Sequence, residues 1–121
     1  MANNPIHKKM IDRFDEWFSQ THSFRFTWSI KEVTHIDYLY KAIAEYKRNH
    51  NKNDSDDDCY NMFYNILELI PRCKNKQWLM QHACPSVFYS QFNAIIAQIS
   101  DLYVKAVENR QTEISFDQMM Q

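Results

Sequence analysis

The chain has 121 residues, a formal net charge of −1 and no glycine. This length suits a single hydrophobic core, and we expect residues 1–121 to form one domain. The absence of glycine excludes glycine-rich phosphate loops and dinucleotide-binding fingerprints, and the small net charge gives no global reason to bind nucleic acid or an anionic membrane.

The cysteines and the apolar runs indicate the compartment. The three cysteines are widely spaced and odd in number, which fits a reducing cytoplasm. No apolar run approaches the length of a membrane span, and the first residues lack the apolar core of a signal peptide. We therefore expect a cytoplasmic protein that makes no contact with a membrane.

The first predicted helix begins at Asn4 and Pro5, a capping residue followed by one whose backbone is preset for the first helical turn. It runs to about residue 20, because apolar residues recur at helical spacing along it. These residues, which we expect to face the core, are Ile6, Met10, Phe14, Trp17 and Phe18.

Residues 24–30 change period, since aromatic and aliphatic side chains alternate there with polar ones. A repeat of two residues is typical of a half-buried strand. The one candidate partner is residues 112–116, which alternate in the same way, so a two-stranded ribbon against the helices is one prediction. The other is an extended connection draped over the bundle.

The second predicted helix starts at Thr34, where Asp37 would complete a capping box. It ends near Arg48 and is followed by the most polar link in the chain, residues 49–55. With no glycine available, the left-handed positions that end helices must be taken by asparagine.

The third predicted helix, at about residues 56–70, is apolar on nearly every side. Ser55 and Asp58 form a capping box at its start, and Pro71 marks its end. A helix without a polar face has to be surrounded by other elements. We therefore predict that this helix is the buried centre of the fold.

The remaining chain predicts a short fourth helix, stopped by Pro85, and a long fifth helix at about residues 86–110. The fourth helix contains Trp78, Leu79 and Ala83, and Asn75 can cap its start. Four main helices and one short helix, joined by brief links, predict an all-α bundle of four to five helices around the helix at residues 56–70.

Metal and catalytic motifs are weak. Cys73, His82 and Cys84 are of the types that bind zinc, but Cys59, the only other cysteine, would lie about 20 Å from Cys73 along a helix. The acidic run 54–58 lacks the glycine and glutamate of a calcium loop. No nucleophile and base are paired by spacing. We predict no catalytic residue, no metal site, no cofactor and no enzymatic activity.

An uncharged surface is the clearest functional signal. No Asp, Glu, Lys or Arg occurs between Lys76 and Asp101, although 24% of the chain is charged. Depletion of charge is typical of an interface centre. The residues that helical spacing places opposite the core, with the tyrosine at the edge, are Ser86, Tyr89, Ser90, Asn93, Ala94 and Ala97.

Residues 72–96 support an alternative, a degenerate helix-turn-helix that binds nucleic acid. Its turn at residues 84–86 lacks glycine, and its second helix has no lysine or arginine over its first four turns, which weakens phosphate binding. The residues of this alternative site are Arg72, Lys74, Lys76, Ser90, Gln91 and Asn93.

The sequence resembles no family closely enough to name one. Its leading interpretation is a small cytoplasmic interaction or regulatory module that binds another protein and forms a homodimer. The alternative is a nucleic-acid-binding accessory factor that uses residues 72–96. A small enzyme without a recognisable motif comes third.

Overall fold

The computed structural model describes residues 5–100. Its elements are α1 (Pro5–His22), α2 (Ile30–Asn49), α3 (Asp56–Leu69), a 3₁₀ turn (Ile70–Arg72), α4 (Lys76–Gln81), α5 (Pro85–Ser90) and α6, the helical residues 92–100. The predicted all-α class is confirmed for these residues. Helices α1, α2 and α3 contact one another pairwise, α5 packs on α2, and α4 packs on the 3₁₀ turn.

Helix α1 supplies much of the core. All five of its predicted inward residues are buried, and Met10 and Phe14 are 0% exposed. Helix α1 is described from Pro5 onward, and Asn4, the predicted cap, lies outside the described residues. The match follows from the local signal, because apolar residues three and four apart fall on one face of a helix.

Two contacts give the relative direction of α1 and α2, which the sequence left open. Asp15, in the second half of α1, accepts a hydrogen bond at 3.4 Å from Nε1 of Trp28, just before α2. His7, near the start of α1, lies 3.1 Å from the carboxylate of Asp37, well inside α2. The second half of α1 therefore lies beside the start of α2, and the start of α1 lies beside a later turn of α2. The two helices are antiparallel.

Helix α2 begins at Ile30, so the predicted start at Thr34 is wrong. Ser29 is the true N-cap, and its side chain accepts a hydrogen bond from the backbone N–H of Glu32. Thr34 is already inside the helix, where its hydroxyl donates to the Ile30 carbonyl at 2.9 Å. Ser29 and Thr34 are each followed three residues later by an acidic residue, and the helix begins after the earlier of the two.

Residues 23–29, which we call the strap, contain no strand, so the strand predicted at residues 24–30 is wrong and the extended connection is confirmed. Phe26 and Trp28 pack edge-on against Phe14, with ring centroids 5.1 and 5.6 Å away. The alternation therefore reflects aromatic rings packing on α1 rather than ladder pairing. The proposed partner, residues 112–116, lies outside the described residues.

Helix α3 starts where the capping box predicted, since Ser55 accepts from the backbone N–H of Asp58 at 3.3 Å. It is not buried on all sides. Tyr64 is 39% exposed, and the guanidinium of Arg13 lies 3.8 Å from its ring centroid. Lys9 lies 4.3 Å from the ring centroid of Tyr60. Cations from α1 thus cover tyrosines that the apolar pattern had assigned to the interior.

The long fifth helix is interrupted. Helix α5 ends at Ser90, Gln91 is in a turn, and α6 follows from residue 92. Residues 101–110 of the predicted helix lie outside the described residues. Trp78 of α4 is 43% exposed, whereas Leu79 beside it is 0% exposed.

Two residues have left-handed backbones, Ser23 at φ 65° and Asn51 at φ 57°. Each directly follows a helix or its final turn, where glycine is the usual residue. Asn51 matches the expectation that asparagine replaces glycine, and Ser23 was not foreseen. Within the described residues, no helix has the length and apolar character needed to cross a membrane.

Candidate functional site

The predicted interface residues are largely on the surface. Tyr89 is 42% exposed, and Ser90, Asn93, Ala94 and Ala97 are exposed as well. We call these five residues the α5–α6 face. The Gln91 N–H donates to the Val87 carbonyl and the Gln91 carbonyl accepts from the Ile95 N–H, both at 2.9 Å, so Gln91 ends α5 and precedes α6. The five residues therefore lie on two helices that meet at Gln91.

Ser86 departs from this pattern, because it is half-buried and bonded to α2. Its backbone N–H donates to Oε1 of Glu32 at 2.8 Å, and its hydroxyl donates to Oε2 at 2.9 Å. The carboxylate thus joins the first turns of α2 and α5, where both helix dipoles favour negative charge. Ser86 therefore links α2 to α5, and its bonds hold the negative charge of Glu32 beside the uncharged run.

Two residues of α2 extend the α5–α6 face. The Tyr89 ring lies 5.5 Å from Tyr38 and 5.8 Å from His35, and the last two lie 5.0 Å apart. Tyr38 is 39% exposed. The contact of Tyr38 with Tyr89 was not predicted, because the meeting of α2 with α5 is a tertiary contact. The outward spacing of His35 and Tyr38, three residues apart, was the available signal.

The basic residues of the alternative site form a corner at the start of α4. Arg72, Lys74 and Lys76 are all exposed, and within residues 5–100 none of them forms an ion pair. Two bonds fix the backbone between them: Lys74 donates its N–H to Oε1 of Gln98 at 2.6 Å, and Nε2 of Gln98 donates to Oδ1 of Asn75 at 2.8 Å. We call Arg72, Lys74 and Lys76 the basic corner.

The polar residues of the alternative site lie on other helices. Ser90 donates its hydroxyl to the Val87 carbonyl at 2.8 Å, and Gln91 is half-buried in the turn between α5 and α6. Asn93 lies in the first turn of α6, and its side chain is exposed. The continuous second helix of a helix-turn-helix is therefore interrupted after six residues, which removes the expected recognition helix.

An aromatic groove of about 340 Å³ lies between the strap, α4 and α5. Phe24 of the strap, 62% exposed, borders it. His22 stacks on Phe18 at 4.1 Å, and its Nε2 lies 2.7 Å from the Met80 carbonyl oxygen. His82 also lines this groove and stacks on Trp78 at 4.6 Å and 24°. Exposed rings are thus gathered on one side of α4.

The cysteines do not assemble into a site. Burial raises the pKa of the Cys59 thiol and of the Cys73 thiol, so both stay protonated and pack as small apolar side chains. Cys84 is half-buried, with its sulfur 3.3 Å from the Ser86 hydroxyl. Across residues 5–100, no three histidines, cysteines or carboxylates are placed to bind a metal ion.

A second groove, about 300 Å³ in volume, lies between α1 and α3 beside the buried Arg13. This guanidinium is 8% exposed, and it pairs with Glu16 at 3.3 Å and Glu68 at 3.0 Å. Two carboxylates pair with this one guanidinium, which leaves a formal charge of −1, and its stacking on Tyr64 covers the ring. The arrangement holds α1 to α3.

Tyr40 has a raised pKa that comes from a contact between two helices. Its hydroxyl donates to Oδ1 of Asp56 at the start of α3. This hydrogen bond is the largest cause that raises the pKa of Tyr40 to about 12, since the negative carboxylate disfavours a tyrosinate. The bond links α2 to α3, and its contribution to stability is present below pH 10.0 and lost as the pH rises towards 12.

Asp56→Asn is expected to lower the pKa of Tyr40 towards 10.0, because the substitution removes the negative acceptor. The measurement is tyrosinate absorbance as the pH is raised, with Tyr40→Phe identifying the contribution of this residue. Asp57→Asn, an exposed neighbour 4.0 Å from Lys9, is the matched control and should leave the titration unchanged. Identical curves for wild type and Asp56→Asn would contradict the assignment.

Two surfaces of the described chain thus stand out, the α5–α6 face and the basic corner with its stacked rings. The first lacks charge where solvent usually meets charge. The second concentrates positive charge without nearby acidic partners in sequence. No protein-family model, no curated protein and no solved structure matches this chain.

Proposed function

We propose that the protein is a small cytoplasmic interaction or regulatory module that binds another protein, and that it forms a homodimer through the α5–α6 face. The observation that supports this proposal is an exposed, uncharged helical surface with Tyr89 at its edge. Interfaces lose charged residues at their centres and gain aromatic ones. A solvated helix face in a chain with 24% charged residues would ordinarily carry charge.

The side chains of the α5–α6 face suit close packing of a second helix. Ala94 and Ala97 are exposed, with Asn93 and Ser90 beside them. Small side chains let helix axes approach, and the hydroxyl and amide groups can exchange hydrogen bonds across a two-fold axis. Because the face carries no charge of its own, pairing it with its own copy brings no like charges together.

The aromatic residues at the edge of this face supply an anchor. Tyr89 and Tyr38 are 42% and 39% exposed, although they touch each other. Tyrosine is one of the residues that most often carry binding energy at protein interfaces. Burial of both rings by a second subunit would remove apolar surface from water at a site that α2 and α5 already hold in place.

Ala94→Arg is expected to convert the dimer to a monomer, because it places a charge and a long side chain at the centre of the face. The measurement is multi-angle light scattering with sedimentation equilibrium at tens of micromolar protein. Burial of an unpaired charge should weaken self-association by about a hundredfold or more. Gln20→Arg, an exposed position on α1, adds the same charge elsewhere and should leave the dimer intact.

Tyr89→Ala tests the anchor in the same assay and should weaken self-association by about tenfold. Tyr64→Ala, whose ring has nearly the same exposure on α3, is its control. Thermal melts of each variant show whether the fold persists. A wild-type monomer at these concentrations, or an Ala94→Arg variant that assembles as wild type does, would overturn the homodimer.

A further inference from the structure

Within residues 5–100, Arg72, Lys74 and Lys76 of the basic corner have no carboxylate within 4.0 Å. Six other lysines and arginines of this range do have one, namely Lys8, Lys9, Arg13, Arg25, Lys41 and Arg48. Arg72, Lys74 and Lys76 fall within five residues of one another, and no Asp or Glu occurs between Glu68 and Asp101. Positive charge therefore accumulates at this corner in a chain whose net charge is −1.

Exposed aromatic rings lie on the helix that Lys76 begins. Trp78 of α4 is 43% exposed while stacked on His82. His82 in turn lines the aromatic groove that Phe24 borders on its far side. Exposed rings therefore lie on both α4 and the strap, and His82 and Phe24 line the same groove.

Fixed contacts hold this surface in place. Gln98 of α6 bonds to two neighbouring residues before α4, the backbone N–H of Lys74 and the side chain of Asn75. At the other end of α4, the Met80 carbonyl contacts His22 of α1 at 2.7 Å. Buried Cys73 and Leu79 fasten the same stretch to the core. The charges and rings are therefore presented by an ordered backbone, which lowers the entropy that binding has to overcome.

We propose that the basic corner and the adjoining rings form a binding site for single-stranded nucleic acid. Arg72, Lys74 and Lys76 contact backbone phosphates, and unpaired bases stack on Trp78 and enter the groove beside Phe24. Positive charge along a path of aromatic faces is the general mode of single-strand binding. A duplex is disfavoured, because its bases present no free ring faces and the structure lacks a continuous recognition helix.

An acidic peptide could form ion pairs with Arg72, Lys74 and Lys76, but it would leave the exposed aromatic rings without stacking partners. This distinction separates the two ligand classes experimentally. The proposed site uses no residue of the α5–α6 face, so it stands apart from the homodimer. Loss of one property is expected to leave the other intact, and Ala94→Arg should bind nucleic acid through this site as a monomer.

The test is fluorescence anisotropy with labelled oligothymidylate and oligouridylate over a salt series. Three phosphate contacts predict a slope of log K against log salt of about −2, at roughly −0.7 for each contact with a single strand. The two oligonucleotides show whether DNA, RNA or both are bound, and binding of either supports the site. Intrinsic tryptophan emission should fall on binding, as bases stack on Trp78.

Lys74→Gln with Lys76→Gln should reduce the salt slope by about 1.4 and weaken binding. The matched control is Lys8→Gln with Lys41→Gln, which removes the same charge from two exposed lysines on α1 and α2 and should leave the slope unchanged. Trp78→Ala should weaken binding by about tenfold, whereas Trp78→Phe, which keeps a ring, should retain most of it.

Several outcomes would overturn the proposal. They are the absence of binding to both oligonucleotides, equal affinity for a duplex, equal affinity for polyglutamate, and equal losses in the two double-lysine variants. The last two would indicate general attraction of polyanions rather than a site. Circular dichroism of each variant confirms that helix content is kept, so that weakened binding reports on the surface rather than on unfolding.

Discussion

Phe14→Ala is expected to lower the free energy of unfolding by about 3–5 kcal/mol, as truncation of a fully buried aromatic side chain does. Phe14 is 0% exposed. Its ring lies within 6.1 Å of five others, those of Trp17, Phe18, Phe26, Trp28 and Phe88. These rings come from α1, the strap and α5, so the cavity would loosen three parts of the structure together.

Urea denaturation followed by circular dichroism measures the effect of Phe14→Ala. Phe24→Ala removes the same ring from a position that is 62% exposed, and it should change the free energy of unfolding by less than about 1 kcal/mol. Similar midpoints for the two variants would show that the aromatic cluster does not hold α1, the strap and α5 together.

Leu67→Ala should cost about 2–5 kcal/mol, because Leu67 is 0% exposed on the face of α3 that packs against α1 and α2. Leu69 is the matched control, since it lies two residues further along the same helix and is only half-buried. Its truncation to alanine should cost clearly less.

Chemical denaturation of Leu67→Ala and Leu69→Ala under one set of conditions gives the comparison. The slope of free energy against urea should stay near that of wild type if both variants unfold in one step. A Leu67→Ala variant as stable as wild type would mean that the core lies elsewhere.

The elements that sequence reasoning placed well are those specified by neighbours in the chain. Ser55 begins α3 through its bond with Asp58. This signal acts within one helical turn, so no tertiary information is needed. The buried face of α1 followed equally from the spacing of its apolar residues.

The errors arise where a distant residue decides between local alternatives. Ser29 and Thr34 both resemble helix caps, and the strap decides between them, because Trp28 is held to Asp15 of α1. Glu32 then bonds with Ser86, 54 residues away. The break at Gln91 carries no proline or glycine to mark it.

The burial of two cationic side chains was not predicted, for a different reason. Arg13 and Lys47 are each 8% exposed, but a reading based on periodicity places charged residues outside. Arginine and lysine can bury their aliphatic stems while their charged ends find partners. In the case of Arg13, two glutamates and a tyrosine from different turns supply those partners.

The candidate surfaces were predicted in part. The charge-free run between Lys76 and Asp101 is visible in the sequence, and the exposure of Ala94 and Ala97 agrees with helical spacing. The contact of Tyr89 with α2 could not be predicted, since it depends on how two helices cross. The same holds for the groove beside Trp78, which requires the strap to reach α4.

The left-handed backbones at Ser23 and Asn51 limit how this chain can vary during evolution. A side chain branched at Cβ is strongly disfavoured at φ 65° or 57°. Valine, isoleucine and threonine should therefore be excluded at both positions in related chains, whereas glycine, asparagine and aspartate should be accepted. This sequence has no glycine, and a substitution to glycine should destabilise the fold least at these two positions.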